Sequence, residues 1–239
     1  MFHVKHALDV QRILGSQGLM VTDAQRDQLA RFVDEVIAWN AKINLISRKD
    51  EEQIWFSHVL HSLALLLSVD IPRDATVLDL GTGGGFPGVP LAIIRHDVRF
   101  TLLDSIRKKT AALQEIVTAL HLPNVDVVTG RAEEAKTVAA YNASFDGVVA
   151  RAVAPLCDLI RWSRPLVRRS HRTVQHIVQR KPMQLRLPSL IAMKGGDLVD
   201  EIRMAEVKER ASHIEVIDIV FHGSEEIGLE EKKLVVVPL

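Results

Sequence analysis

Four of the five residues from Gly81 to Gly85 are glycine, and acids stand on either side, at Asp79 and Asp104. Glycine tolerates positive φ and lets a ligand approach the backbone without a Cβ in the way. A tight strand-to-helix turn needs only one such residue, so the run points to a ligand. Gly83, Gly85 and Gly88 fit G-x-G-x-x-G, and Asp104 follows at the distance of an acid that binds ribose hydroxyls. That pattern suits a dinucleotide and an NAD-type oxidoreductase. Asp79 argues for a different ligand. Two residues before the first glycine, a carboxylate crowds a pyrophosphate but suits an ammonium. S-adenosylmethionine carries both an amino-acid end and an adenosine, so Asp79, Gly83, Gly85 and Asp104 are read as cofactor contacts. Gly83 and Gly85 also have a plainer reading, as parts of the turn alone.

Other side chains with chemical potential are sparse. Cys157 is the only cysteine, which excludes an internal disulfide and a multi-cysteine metal site. His58 and His61 sit at i and i+3 without a third ligand nearby in sequence, so they are read as a packed or surface helix face, and no metal is expected. Arg161 to Arg186 holds eight Lys/Arg and no acid in a chain of zero net charge. Such a strip supplies the phosphate contacts that nucleic-acid binding requires. Arg168, Arg169, Arg172, Arg180 and Lys181 are its candidate RNA contacts, with Trp162 available to stack on bases; the plain alternative is a solvated insertion. With a balanced charge overall, any RNA affinity must be local.

The elements that position these residues follow from periodicity. Residues 1–72 read as a helical extension, with Thr22 or Asp23 capping one helix and "DEEQIWFSHVLHSLALLL" forming another. From residue 73 to 239 strands alternate with helices, starting with "ATVLDLG" and "PGVPLAIIRH". Alternation implies an α/β fold with a mostly parallel sheet and helices on both faces. The last two strands, "HIEVIDIVFH" and "KKLVVVPL", have no helix between them, so one strand near the end must run antiparallel. The glycine bend ends the first strand, and ligands in open α/β sheets sit at the carboxyl ends of strands. No apolar run approaches the roughly 20 residues of a membrane span. A cytoplasmic, monomeric protein without a membrane partner is the expectation.

Five segments in order resemble one family. "WNAKINLIS" (Trp39–Ser47), "VLDLGTGGGFPGVPLAI" (Val77–Ile93), "LLDSIRKKTAALQEI" (Leu102–Ile116), "GRAEE" (Gly130–Glu134) and "ARAVAPL" (Ala150–Leu156), with "IAMKGG" later, are similar to the RsmG (GidB) family of bacterial rRNA methyltransferases. The resemblance implies a Rossmann-like class I methyltransferase: seven strands, one antiparallel, with an N-terminal helical extension and here a basic insertion at about 168–186. It implies methyl transfer from S-adenosylmethionine to N7 of a guanine in 16S rRNA, guanine 527 of the 530 loop by rRNA numbering, with the rRNA or the small ribosomal subunit as partner. It places cofactor contacts on Gly81, Phe86, Ala132, Glu133 and Arg151. Guanine N7 has no proton to remove, so the transfer needs positioning rather than a general base; no catalytic residue is assigned beyond Arg151 as a positioning group. A non-catalytic nucleotide- or RNA-binding module is the remaining alternative. The chain departs from the family's H-x-x-D-S-L pattern: His61 stands where the acid is expected.

Overall fold

The computed structural model describes residues 2–169, 172–173, 186–221, 224, 228–229 and 231–239. Helix α1 (Phe2–Ser16) precedes α2 (Asp23–Asn40). Thr22 caps α2: its Oγ1 accepts from the Gln25 N–H, and the Gln25 side chain accepts from the Thr22 N–H. The same Gln25 side chain then donates to the Ile93 and Ile94 carbonyls, tying α2 to the end of the next helix but one.

The long helix expected around His58 is broken. A 3-10 turn (Arg48–Asp50), a π-helical stretch (Ile54–Leu60) and then α3 (His61–Ser68) replace it. The acids Asp50 to Glu52 therefore lie before the continuous helix, not in its first turn. Apolar spacing runs unbroken through the segment, so periodicity gives no sign of the change of pitch.

The α/β portion alternates β1 (Thr76–Leu80), α4 (Gly88–Ile94), β2 (Arg99–Asp104), α5 (Arg107–Ala119), β3 (Val125–Thr129), α6 (Ala135–Tyr141), β4 (Gly147–Arg151), α7 (Leu156–Ser163), β5 (Ser189–Gly195), α8 (Val199–Lys208), β6 (Glu215–Asp218) and β7 (Lys232–Pro238). The seven strands lie in the order 3-2-1-4-5-7-6, and β7 is the one strand running opposite to the other six. A two-residue ribbon pairs Arg172–Thr173 with Arg186–Leu187 between α7 and β5.

Period-2 alternation divides the buried strand residues between two cores. Val77, Phe100, Leu102, Val149, Ile191 and Val236 join α1 to α5 in one cluster. Leu78, Leu80, Val148, Ala150, Leu190 and Val235 join α7 and α8 in the other. The chain reverses direction across the sheet between β1 and β4, leaving a crevice above their carboxyl ends. Because β7 runs backwards, its first residues arrive at this same edge: Lys232 pairs with Gly195 at the end of β5.

Candidate functional site

Two cavities open along the carboxyl edge of the sheet. A cleft of about 220 Å³ is lined by Leu80, Gly81, Leu103, Asp104, Ala132 and Glu133, with Arg131, Val153 and Trp162 completing the wall. A larger cavity of about 470 Å³ is lined by Asp50, Ser57, His58, His61, Arg151 and Ala152, with the end of β5 and Lys232 opposite. Its volume falls in the range of roughly 300–1,000 Å³ usual for small-ligand sites. Consecutive residues divide the two: Arg151 and Ala152 face the larger cavity, and Val153 faces the cleft. Ala152 takes φ 54°, a left-handed conformation that is uncommon without glycine and that turns the chain at this boundary.

Gly81 is at the cleft floor with φ 74°, and a Cβ there would stand 2.5 Å from Val153 Cγ2. Asp104 ends β2 at the cleft; its Oδ2 accepts from the Gly83 N–H at 2.9 Å and its Oδ1 from the Ile106 N–H at 2.8 Å. The carboxylate is thereby held at the mouth of the cleft while fixing the bend. Ala132 is buried in the wall. Glu133 lies in the turn before α6, whose N-cap is Glu134, so it is not the first-turn acid of a helix; it pairs loosely with Arg131 at 3.8 Å.

Several sequence-based assignments change here. Asp79 does not line either cavity. It is fully buried, and its Oδ2 accepts from Thr82 Oγ1 at 2.6 Å and from the Gly88 N–H at 2.8 Å. Through that oxygen it ties the bend to the start of α4, while Oδ1 is buried without a hydrogen-bond partner. Burial pushes its carboxyl up to about 6, against the pull of the Thr82 and Gly88 hydrogen bonds. Gly83 and Gly85 face the extension and the α5 side of the core: the nearest atom to a Cβ on Gly83 would be the Leu45 carbonyl, and Gly85 is packed against Leu113, Val89 and Phe32. Both take positive φ in the turn, at 58° and 92°. Gly88, which sequence reading used only to complete a fingerprint, allows α4 to touch β1 and β2, since a Cβ there would stand 2.3 Å from Leu102 Cδ2 and 2.6 Å from Asp79 Oδ2.

Phe86 is buried away from the cleft, tilted against Phe32 and His58. Its ring underlies the Arg151 guanidinium, 5.3 Å from the ring centroid. Arg151 Nη1 donates to the Ser57 carbonyl at 3.0 Å, and Nη2 donates to His58 Nδ1. A ring nitrogen that accepts from a guanidinium is unprotonated, so the His58 proton is on Nε2, which reaches Asp50 Oδ2 at 3.3 Å. Burial, and then the Arg151 charge, pull His58 down to about 4; burial lowers Arg151 to about 10, leaving it charged at neutral pH. The resemblance residues thus fall in two groups: Gly81, Ala132 and Glu133 with Asp104 at the cleft, and Arg151 at the larger cavity with Phe86 buried beneath it.

Three contributors were missed. Trp162, assigned to RNA bases, stands in the cleft wall and packs on the second core. Lys194 lines the larger cavity; its Nζ donates to the Ala154 carbonyl at 2.8 Å and to Glu201 Oε1 at 2.7 Å, and that carboxylate oxygen also accepts from the Leu156 N–H. Asn40 is buried and braces the loop over the bend, accepting from the Leu45 and Ile46 N–H groups at 2.7 and 3.0 Å. Its signal was in "WNAKINLIS", whose tail lies against Gly84.

Beyond α7 the basic strip reaches the opposite edge. Arg168 is ion-paired with Asp146, one residue before β4, and Arg169 is exposed beside it. Arg172 lies in the two-residue ribbon. Arg180 and Lys181 lie outside the described residues.

A family described as rRNA small subunit methyltransferase G matches residues 25–229. A Bacteroides thetaiotaomicron protein named ribosomal RNA small subunit methyltransferase G is 40% identical over 215 residues, 90% of this chain and 93% of its own. A Bacteroides fragilis protein of the same name is 44% identical over 182 residues, 76% of this chain and 80% of its own. Among solved structures, a SAM-dependent methyltransferase from Aquifex aeolicus superposes with TM-score 0.50 at 13% identity, over 74% of this chain and 88% of that one. A fibrillarin/Nop5p complex gives TM-score 0.51 at 12% identity, over 73% and 78%. At such identities these likenesses concern the fold.

Proposed function

Because the chain belongs to the family of rRNA small subunit methyltransferase G, we propose that it methylates N7 of a guanine in 16S rRNA, using S-adenosylmethionine. The observation that carries this is the pair of cavities meeting across Arg151–Val153 at the carboxyl edge of a 3-2-1-4-5-7-6 sheet. The cleft's residues fit the cofactor. A buried strand-end carboxylate, Asp104, suits ribose hydroxyls; Leu103 and Ala132 offer apolar surface to adenine; Gly81 leaves its main chain open to approach. Glu133 stands on the same wall as a second acceptor.

Bound there, S-adenosylmethionine supplies a methyl group on a positively charged sulfur. The chain's task is to hold a base in line with it and exclude water. N7 carries a lone pair and no proton, so no side chain has to act as base. Arg151 is fixed at three points, by Ser57, His58 and the Phe86 ring, and presents a rigid cationic wall to the larger cavity. Lys194, locked by Glu201, and Lys232 add positive charge around the same space. That potential suits the phosphates of an RNA strand and the acceptor O6 beside N7. N7 lies in the deep groove of paired A-form RNA, which side chains read poorly, so the target base is unpaired or flipped. Arg168, Arg169 and Arg172 form a second, remote contact with the RNA backbone, and Arg180 and Lys181 continue the same basic run in the sequence. The protein acts as a monomer on cytoplasmic small-subunit rRNA.

The deciding experiment is methylation of small subunits from a strain lacking this gene, with labelled S-adenosylmethionine and mapping of the modified base. Label at N7 of one guanine in 16S rRNA is expected. Absence of transfer, with calorimetric binding of NAD in its place, would return the oxidoreductase reading; binding of S-adenosylmethionine without transfer would favour a non-catalytic module.

A further inference from the structure

Val153 stands at the seam between the two cavities. Arg151 and Ala152 face the larger cavity and Val153 lines the cleft, so the wall changes sides within three residues. Ala152 makes that change with φ 54°. A residue other than glycine keeps such a conformation only where its surroundings fix it, and these conformations gather at ligand sites. Both branches of the Val153 isopropyl group lean over Gly81: a Cβ on Gly81 would lie 2.5 Å from Cγ2 and 2.8 Å from Cγ1. The side chain that Gly81 lacks is therefore the space that Val153 takes. This contact does not bury the valine. It stays 37% exposed, a branched apolar group on the cleft wall.

We propose that the Val153 isopropyl group bounds the space beside the sulfur of the methyl donor and limits the transferred group to one carbon. The proposal rests on the function proposed above, with the donor in the cleft and the base in the larger cavity. In the transfer the N7 lone pair forms the new bond to carbon as the carbon–sulfur bond breaks. The electron pair of the broken bond stays on sulfur, leaving a neutral thioether and a cationic base, and no proton moves. Sulfur, carbon and N7 share one axis in such an attack. An axis from the cleft to the larger cavity crosses the seam that Val153 forms. A valine there has no lone pair to compete with N7 for the carbon. Its two branches restrict what sulfur can carry, and in a fitted apolar pocket one extra methylene changes selection by roughly 10–200-fold.

The test is calorimetry with S-adenosylmethionine and with its S-allyl analogue, whose sulfur carries two more carbons, the number that Val153→Ala removes. Wild-type protein is expected to bind the allyl analogue at least about tenfold more weakly than S-adenosylmethionine. Val153→Ala is expected to narrow that gap about fivefold or more, and to raise the ratio of allyl to methyl transfer onto 16S rRNA by a similar factor. Val153→Thr keeps the branched shape and is expected to keep the wild-type gap. Equal wild-type affinity for the two donors overturns the proposal. So does a Val153→Ala protein with the wild-type gap, or a Val153→Thr protein that narrows it as far as alanine does. Should Val153→Ala fail to fold, Val153→Ser sheds the same two methyl groups and is judged by the same gap. Wild-type protein that binds neither donor overturns the underlying function as well, an outcome distinct from binding both alike.

Discussion

Burial sets the charge of three side chains around the site, and their pH dependence has opposite signs. His58 and His61 are lowered to about 4 and about 3, against about 6.5 for an unfolded histidine. Below pH 6.5 the unfolded chain takes up protons that the folded chain refuses. Their stabilisation is therefore complete above the unfolded value and lost as pH falls toward the folded ones. Asp79, raised from 3.8 to about 6, does the reverse: below pH 6 the folded chain binds a proton that the unfolded chain does not. Between pH 6 and pH 4 two histidines oppose one carboxyl, and these three groups leave a net uptake of about one proton on unfolding. Their contribution to stability should fall by roughly 1 kcal/mol per pH unit on acidification. Asp79→Asn removes the opposing proton and should steepen the slope to nearly twice that. Urea unfolding at stepped pH checks this; a variant slope no steeper than wild type would contradict it. None of this was legible from residue types. Asp79 reads as a ligand acid because it flanks the glycines, and its burial behind Thr82 and Gly88 leaves no mark on that pattern.

At the level of elements, the N-terminal helices build the site rather than decorate it. The π-helical stretch and α3 bring Ser57, His58 and His61 to the end of β4, and the loop after α2 lies on the glycine bend. Asn40 holds that loop with two hydrogen bonds from its backbone. Asn40→Ala leaves the Ile46 N–H without that acceptor while the Leu45 N–H keeps the Ile43 carbonyl at 2.9 Å, so it should cost about 1–3 kcal/mol of stability. It should also weaken S-adenosylmethionine binding severalfold, because the Leu45–Ile46 loop buttresses the bend. Denaturant unfolding and calorimetry measure the two effects; a loss of stability with undiminished cofactor affinity would separate the loop from the site. The cap at Thr22 was readable because capping chemistry is local. The break before Ile54 was not, since a π turn leaves apolar spacing nearly intact.

Over the whole molecule, the sheet separates the chemistry from the basic strip. Arg168 is tied to Asp146 at the amino end of β4, while Arg151 ends that strand. Five residues at about 3.3 Å each put roughly 17 Å between the two edges. A strip placed there meets RNA away from the target base. Neutralising Arg168, Arg169 and Arg172 should lower RNA affinity and reduce the slope of log K against log salt by up to about three phosphate contacts. Turnover at saturating RNA should stay near wild type. Filter binding across a salt series, with single-turnover rates beside it, checks the split; an unchanged slope would remove the strip from RNA binding.

Alternation of strand and helix, the reversed last strand, the glycine bend and its family were all written in the order of residues. They depend on local periodicity and on side chains close in sequence, which a linear reading captures. The assignment of Arg151 to Ser57 and His58, more than ninety positions upstream, required the tertiary structure. So did the burial of Asp79, the place of Asp104 at the cleft and the remote place of Arg168. Each of these follows from which elements the sheet order brings together, and burial and pairing between distant segments leave no local pattern to read.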